Sequence, residues 1–123
     1  NHKFKWNFDI KCDKLSIGIR SYLNQKLFKH GNKFYKFHSD GRLENDSVLD
    51  LDNDISFGNG DIITMELNTC NKSLKFYKNC KEIGVEFEDI KTINCQYTMF
   101  TQLHGYGSIN LIDFKIICLK SGK

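Results

Sequence analysis

A chain of 123 residues with 40% hydrophobic and 13% aromatic residues is long enough to bury the core of one domain. No apolar run approaches the roughly 20 residues that cross a bilayer, so the composition indicates no membrane segment. The net charge of +3 comes from lysines scattered among apolar positions, and the only arginines are Arg20 and Arg42, which does not indicate a nucleic-acid surface.

Apolar and polar residues alternate with period two from the start of the chain, and this pattern predicts β-strands. The first strand is predicted over residues 4–10, where every second residue is apolar. Residues 15–19 repeat the pattern after a turn at 12–14, so the two segments are predicted to form a hairpin. Gly18 in the second segment leaves room for another backbone to come close.

Later segments continue the pattern. Strands are predicted at 34–37, 63–67, 74–76, 82–87, 97–103 and 108–119, with turns at 39–41, 58–61, 69–72 and 79–80. The pair 63–67 and 74–76 is predicted to be a second hairpin, and the acidic stretch 49–54 a loop. No window carries the 3.6-residue stripe of a helix, so the predicted class is all-β.

Three segments in a fixed order carry the most specific motif. They are Gly-Asp followed by a hydrophobic strand at 60–67, Leu-Lys-Phe-Tyr-Lys-Asn at 74–79, and Ile-Gly-Val-Glu-Phe at 83–87. This order resembles the signature of the SPRY domain family, without an evident PRY half, and the resemblance extends over nearly the whole chain. It implies a bent antiparallel β-sandwich of the concanavalin-like type, with Trp6 in its core.

One departure from the family pattern concerns a turn. Cys80 stands where the family usually has glycine after Asn79. A positive φ at this position would cost the folded state about 1 kcal/mol, because Cβ then crowds the backbone.

The resemblance also implies a function. SPRY domains are non-catalytic modules that recognise short peptides or protein surfaces through loops at one end of the sandwich, and they act as targeting or substrate-adaptor domains of larger proteins such as ubiquitin ligases or scaffolds. We therefore expect no enzyme activity and no cofactor. The expected partner is a protein or short linear peptide, rather than nucleic acid or a membrane, and the isolated domain is expected to be a monomer.

Two loops and one strand supply the candidate peptide-binding residues. The segment 102–107 places a histidine and a tyrosine between glycines, and the segment 21–33 crowds apolar and amide side chains into a loop. Alternatively, Leu103 belongs to the core beside a tight glycine turn, and the apolar residues of 21–33 form a small core of their own. The candidate residues are Tyr22, Leu23, Asn24, Tyr35, Gln102, Leu103, His104, Gly105 and Tyr106.

Two other functions are left open by the residues. A lectin-like sandwich would use Asn24, His104 and Tyr106 to bind sugars, and secretion would favour it. A purely structural module inside a larger enzyme would have no ligand. No metal is expected, because the cysteines and histidines lack paired spacing and the alternating aspartates at 50–54 lack the glycine and glutamate of a calcium loop.

The cysteines indicate the compartment. There are five, an odd number, and none forms a C-x-x-C pair, which favours reduced thiols in the cytoplasm or nucleus. The exposed turn predicted at Cys80 makes this thiol the most accessible candidate for reaction. The chain lacks an initiator methionine and a signal peptide, so we expect residues 1–123 to be a single domain excised from a larger protein.

Overall fold

The computed structural model describes residues 2–21, 33–45, 49–50, 55–90 and 96–119. Within these ranges no helix is long and apolar enough to cross a membrane. The strands are β1 (His2–Lys11), β2 (Leu15–Ser21), β3 (Phe34–His38), β4 (Leu43–Asn45), β5 (Leu49–Asp50), β6 (Ile62–Asn68), β7 (Ser73–Lys78), β8 (Lys81–Phe87), β9 (Tyr97–Leu103) and β10 (Ser108–Cys118).

The strands form two antiparallel sheets that pack face to face. Sheet A has the order β10-β1-β6-β7-β8, and sheet B has the order β5-β4-β3-β2-β9. The inward residues of both sheets make one core, in which Trp6 is buried as predicted. Among the fully buried side chains are Phe8, Phe37, Ile63, Met65, Leu74 and Phe76. The all-β sandwich predicted from the alternating pattern is therefore confirmed.

The predicted pairing of the first two strands is wrong. β1 pairs with β10 and β6, whereas β2 pairs with β3 and β9, so the turn at 12–14 carries the chain from one sheet to the other. Alternation specifies which face of a strand is buried but not which strand lies beside it. The second predicted hairpin is confirmed, because β6 pairs with β7 over six residue pairs.

The acidic segment 49–54 was predicted to be a loop, and its beginning is a strand instead. Leu49–Asp50 pairs with β4 at the end of sheet B. This strand is only two residues long, which is too short for alternation to be visible in the sequence. Residues 51–54, with most of the calcium-loop pattern, lie outside the described residues.

Gly18 is required by the packing of two strands. A Cβ atom at this position would lie 1.9 Å from the carbonyl oxygen of Tyr35 in β3. Real Cβ atoms do not approach a backbone oxygen so closely, so any other residue would force β2 and β3 apart. The close backbone approach predicted from the sequence is confirmed.

The turn between β7 and β8 contains the departure noted at Cys80. Asn79 and Cys80 both have positive φ, at 52° and 69°, as in a two-residue type I′ hairpin turn. Asn79 tolerates this conformation, and its Oδ1 accepts a hydrogen bond of 2.8 Å from the N–H of Ile62. Cysteine, unlike asparagine or glycine, is not favoured at a positive φ. The Cys80 side chain is exposed to solvent.

Replacing Cys80 with glycine is expected to raise the free energy of unfolding by about 0.5–1 kcal/mol. The gain from relieving Cβ in the left-handed region exceeds the entropy that glycine adds to the unfolded chain. Urea unfolding of both proteins measures the difference. Cys70→Gly is the matched control, because Cys70 is exposed without a positive φ and should lose stability. A loss of stability in both variants would contradict the prediction.

Candidate functional site

The outward face of sheet B carries side chains in regular rows, because β2 lies between β3 and β9. Each row contains one residue from each of the three strands, taken across the sheet at the same height. The three rows are His38, Ser16 and Gln102; Lys36, Gly18 and Phe100; and Phe34, Arg20 and Thr98.

The middle row has no side chain at its centre, and this creates a shallow hollow. Lys36 extends across Gly18, so that its Nζ lies 5.7 Å from the centre of the Phe100 ring and 3.4 Å from Oε1 of Gln102. The same Nζ lies 5.2 Å from the ring centre of Phe34. The missing side chain at position 18 thus allows a β3 lysine to reach residues of β9.

A second cation borders the hollow. The guanidinium carbon of Arg20 lies 5.9 Å from the centre of the Phe100 ring. The hollow has a volume of about 400 Å³, and its lining residues are Arg20, Phe34, Lys36, Phe100, Thr101 and Gln102. We call this set the cation–aromatic face; its members are Arg20, Phe34, Lys36, Phe100 and Gln102.

The electrostatics of the cation–aromatic face are unbalanced. The ion pairs found within the described ranges join other groups, and none includes Arg20 or Lys36. Among the residues that the structure describes, no acidic side chain lines the hollow. Two positive charges beside aromatic rings can bind a carboxylate through charge-assisted hydrogen bonds, while the rings contact apolar groups. The face therefore suits an acidic ligand that also has apolar surface.

A second hollow of about 500 Å³ lies at the neighbouring end of the sandwich, and we call it the end hollow. Its lining residues are Asp13, Lys14, Leu15, His38, Ser39, Asp40, Arg42 and His104. Several of its polar and charged side chains already form hydrogen bonds or ion pairs with other side chains of the protein. Nε of Arg42 donates to Asp40 at 2.8 Å, and Nε2 of His38 lies 2.8 Å from Oε1 of Glu44. The Arg42 hydrogen bond holds the pKa of the Asp40 carboxyl below its usual value.

Five of the residues predicted from the sequence lie on the exposed end of β9 and the loop after it. Gln102 belongs to the cation–aromatic face, and His104 lines the end hollow. Leu103 is 40% exposed, so it does not belong to the core as the alternative reading required. Gly105 and Tyr106 are exposed at the tip, where the Tyr106 side chain is fully accessible to solvent.

The loop that follows β9 is held by its backbone. The N–H of His104 donates to the carbonyl oxygen of Lys14 at 2.9 Å. A Cβ atom at Gly107 would lie 2.2 Å from the carbonyl oxygen of Lys11, and the φ of Gly107 is 124°. The loop therefore presents His104 and Tyr106 from a defined backbone position beside β1 and β2.

Tyr35 is a correction to the predicted set. Its side chain is 5% exposed and its ring centre lies 5.2 Å from that of Phe87 and 6.1 Å from that of Tyr97. Tyr35 faces inward because its neighbours Phe34 and Lys36 occupy the outward positions of β3. We therefore assign Tyr35 to the core. Tyr22, Leu23 and Asn24 lie outside the described residues.

Sequence reasoning missed four residues of the cation–aromatic face: Arg20, Phe34, Lys36 and Phe100. Each of them lies on the outward face of its strand in sheet B. Side chains on such a face usually contact only solvent and have no binding function. A signal was nevertheless present, because two strands place an aromatic residue two positions before a polar one, at Phe34 and Lys36 and again at Phe100 and Gln102. Only the register shows that these pairs adjoin one glycine.

The part of the chain that the structure describes contains no metal-binding cluster and no disulfide. No group of three or more His, Cys, Asp or Glu side chains there could hold a metal ion. Cys12, Cys70, Cys80 and Cys118 are free thiols, and Cys80 is exposed as predicted. Burial raises the pKa of the Cys12 thiol, which keeps it in its less reactive protonated form.

Comparison with known proteins identifies the fold. No family model and no curated protein matches the sequence. Among solved structures, the crystal structure of the SPRY domain of human HERC1 matches with a TM-score of 0.61 and 18% sequence identity. The match covers 97% of this chain and 76% of that chain. The chain therefore has a SPRY-like fold, as the motif order in the sequence predicted.

Proposed function

We propose that this SPRY-like sandwich is a non-catalytic protein-interaction module that binds a short acidic peptide segment of a partner protein. The observation that carries the proposal is the pair Arg20 and Lys36. These cations lie over aromatic rings, and none of the ion pairs among the described residues includes either of them. The resemblance of the sequence to SPRY domains supports the same class of function.

The chemistry of the cation–aromatic face defines the ligand. A carboxylate between Arg20 and Lys36 would receive charge-assisted hydrogen bonds, which are about twice as strong as neutral ones. An adjoining apolar side chain would contact Phe34 and Phe100, and the amide of Gln102 would pair with peptide backbone. The ligand is thus an acidic residue next to an apolar one, within a longer segment that reaches His104 and Tyr106.

The cysteines bear on the compartment that we propose for this domain. The four cysteines that the structure describes are free, and a reducing environment keeps thiols in this state. We propose that the domain acts in the cytoplasm or nucleus, as a targeting or substrate-adaptor part of a larger protein. No cofactor takes part in the binding.

A peptide-display selection against the domain, followed by fluorescence polarisation with the enriched peptides, tests the proposal. We expect enriched motifs to contain Asp or Glu beside an apolar residue. Arg20→Ala and Lys36→Ala should each weaken binding about tenfold, because a hydrogen bond to a charged group contributes roughly 1.5 kcal/mol. Binding should also weaken as salt is added.

Matched variants separate the possible contact surfaces. Lys75→Ala removes a cation from β7 of the other sheet, where Lys75 pairs with Glu82, and should leave binding unchanged. His104→Ala and Tyr106→Ala test the loop after β9. A motif without acidic residues, or one indifferent to Arg20 and Lys36, would contradict the proposed face. No enrichment at all would contradict the peptide-binding function.

A further inference from the structure

β10 lies at one edge of sheet A and carries apolar side chains that the sandwich leaves exposed. Its large apolar residues are 42% to 58% exposed, and they are Leu111, Ile112, Phe114, Ile116 and Ile117. In the described part of the chain, β1 is the only strand that pairs with it. A long apolar edge strand is a ready template for pairing with another chain.

Two of these side chains lie on the same side of sheet A as the core. Phe114 is opposite Trp6 in the register, and Ile116 is opposite Phe4. The Phe114 ring centre lies 5.3 Å from that of Trp6 and 6.4 Å from that of Phe4. Phe114 and Ile116 therefore extend the apolar face of the core beyond the part that sheet B covers.

The backbone groups of β10 that remain unpaired can be identified from β1. His2 and Ile10 bond through N–H and C=O to Thr69 and to residues 60–61, which flank β6. Even-numbered residues of β1 thus point their backbone groups toward β6, and odd-numbered ones toward β10. Lys5 is odd and lies opposite Lys115. The alternate β10 residues Phe114 and Ile116 therefore point N–H and C=O toward the free edge.

The charges beside the free edge are also unbalanced. Lys115 lies directly opposite Lys5, a like-charge pair that disfavours the ladder. No ion pair within the described ranges includes Lys115. Asp113 lies two residues away on the same face of the sheet, where Nδ2 of Asn7 donates to it at 2.6 Å. The edge thus presents an acid, an apolar residue and a base in sequence.

We propose that β10 pairs with the antiparallel β10 of a second copy of this chain, with Phe114 of each copy on the symmetry axis. Antiparallel pairing around this centre places Asp113 of each copy opposite Lys115 of the other. The two Phe114 residues then form a hydrogen-bonded pair, because their N–H and C=O groups already point outward. The acid–apolar–base order of the edge is what makes a second copy complementary to it.

Neighbouring registers fit less well. A dyad at Lys115 would put the two copies of that lysine opposite each other, as a further like-charge pair. A shift by one residue would pair core-side residues with outward ones. The register irregularity between Asn7 and Phe8 leaves Ile112 unpaired with β1, so regular pairing around a dyad at Phe114 is limited to residues 113–115 of each copy. The contact is therefore short, and we expect a weak dimer below the roughly 1,200 Å² of standard interfaces.

This dimer revises the monomer expected from the sequence, and charge exchange tests it. Sedimentation equilibrium in reducing buffer, from about 10 μM to about 1 mM, should show the native chain passing from monomer to dimer. Lys115→Asp should raise the dimer dissociation constant about tenfold, because two attractive contacts become repulsive. Asp113→Lys should do the same. An equal mixture of the two variants should restore dimerisation, since both cross-strand charge contacts of the mixed dimer are again attractive.

Control variants keep the test independent of folding defects. Lys75→Asp makes the same change on β7, away from the edge, and should dimerise like the native chain. Ile116→Asp changes a side chain that is already 58% exposed and should also weaken the dimer. Circular dichroism checks that each variant is folded. A native chain that stays monomeric, even one that binds extended peptides instead, would overturn the proposal, as would a mixture no tighter than either variant alone.

Discussion

Gly18→Ala is expected to lower the free energy of unfolding by about 3 kcal/mol or more. The added Cβ would lie 1.9 Å from the Tyr35 carbonyl oxygen, and that neighbour is strand backbone that cannot rotate away. Relief requires β2 to separate from β3 in the middle of sheet B. Urea unfolding, followed by the fluorescence of the single tryptophan, Trp6, measures the loss.

Gly58→Ala is the matched control for this prediction. A Cβ atom at Gly58 would lie 3.6 Å from its nearest neighbour, the Asp13 carbonyl oxygen, which is ordinary contact. Its φ is not positive, so alanine can stabilise the protein by about 0.4–1 kcal/mol by restricting the unfolded chain. Equal effects of the two substitutions would show that the close approach of β2 and β3 is not the cause.

Phe37→Ala is expected to lower the free energy of unfolding by about 3–5 kcal/mol. The Phe37 side chain is fully buried between the sheets, with its ring centre 4.7 Å from that of Phe57 and 4.9 Å from that of Phe76. Its removal leaves a cavity that these neighbours fill only in part. Thermal and urea unfolding both report the change.

Phe34→Ala provides a control in the same strand with the same residue type. Phe34 lies three positions before Phe37, on the outward face of β3, and is only half-buried. Its loss should cost about 1 kcal/mol or less in stability and should weaken peptide binding at the cation–aromatic face. A Phe34→Ala variant as unstable as Phe37→Ala would contradict the assignment of the two faces of sheet B.

These two pairs of substitutions test different physical contributions to stability. Gly18 and Gly58 compare two backbone environments, and the result depends only on space around one Cβ atom. Phe37 and Phe34 compare two faces of one strand, and the result depends on burial. Because Lys36 extends across Gly18, a shift of β2 from β3 would also disturb the cation–aromatic face, so peptide binding by Gly18→Ala should be lost along with stability.

The sequence by itself determined the local structure of this protein. Period-two alternation predicted every described strand except the short β4 and β5, and it predicted which residues of each share a face, because successive side chains of a strand must point to opposite sides. The resemblance to SPRY domains implied that Trp6 lies in the core, and the glycine within the second strand predicted a close backbone approach at Gly18. The motif order around 60–87 also led to the SPRY-like fold. All of these features depend on residues near one another in the chain.

Apart from the β6–β7 hairpin, which the sequence predicted, only the tertiary structure decided which strands are neighbours. The alternating patterns of β1 and β2 are compatible with one hairpin, yet the strands lie in different sheets. The cation–aromatic face joins Arg20, Lys36 and Phe100 from three strands, so no local pattern could reveal it. Likewise, the apolar pattern of β10 suits a covered strand, and its exposure follows from its place at the edge of sheet A. Strand order and register are long-range properties, set by how whole faces pack together, and alternation within one strand does not encode them.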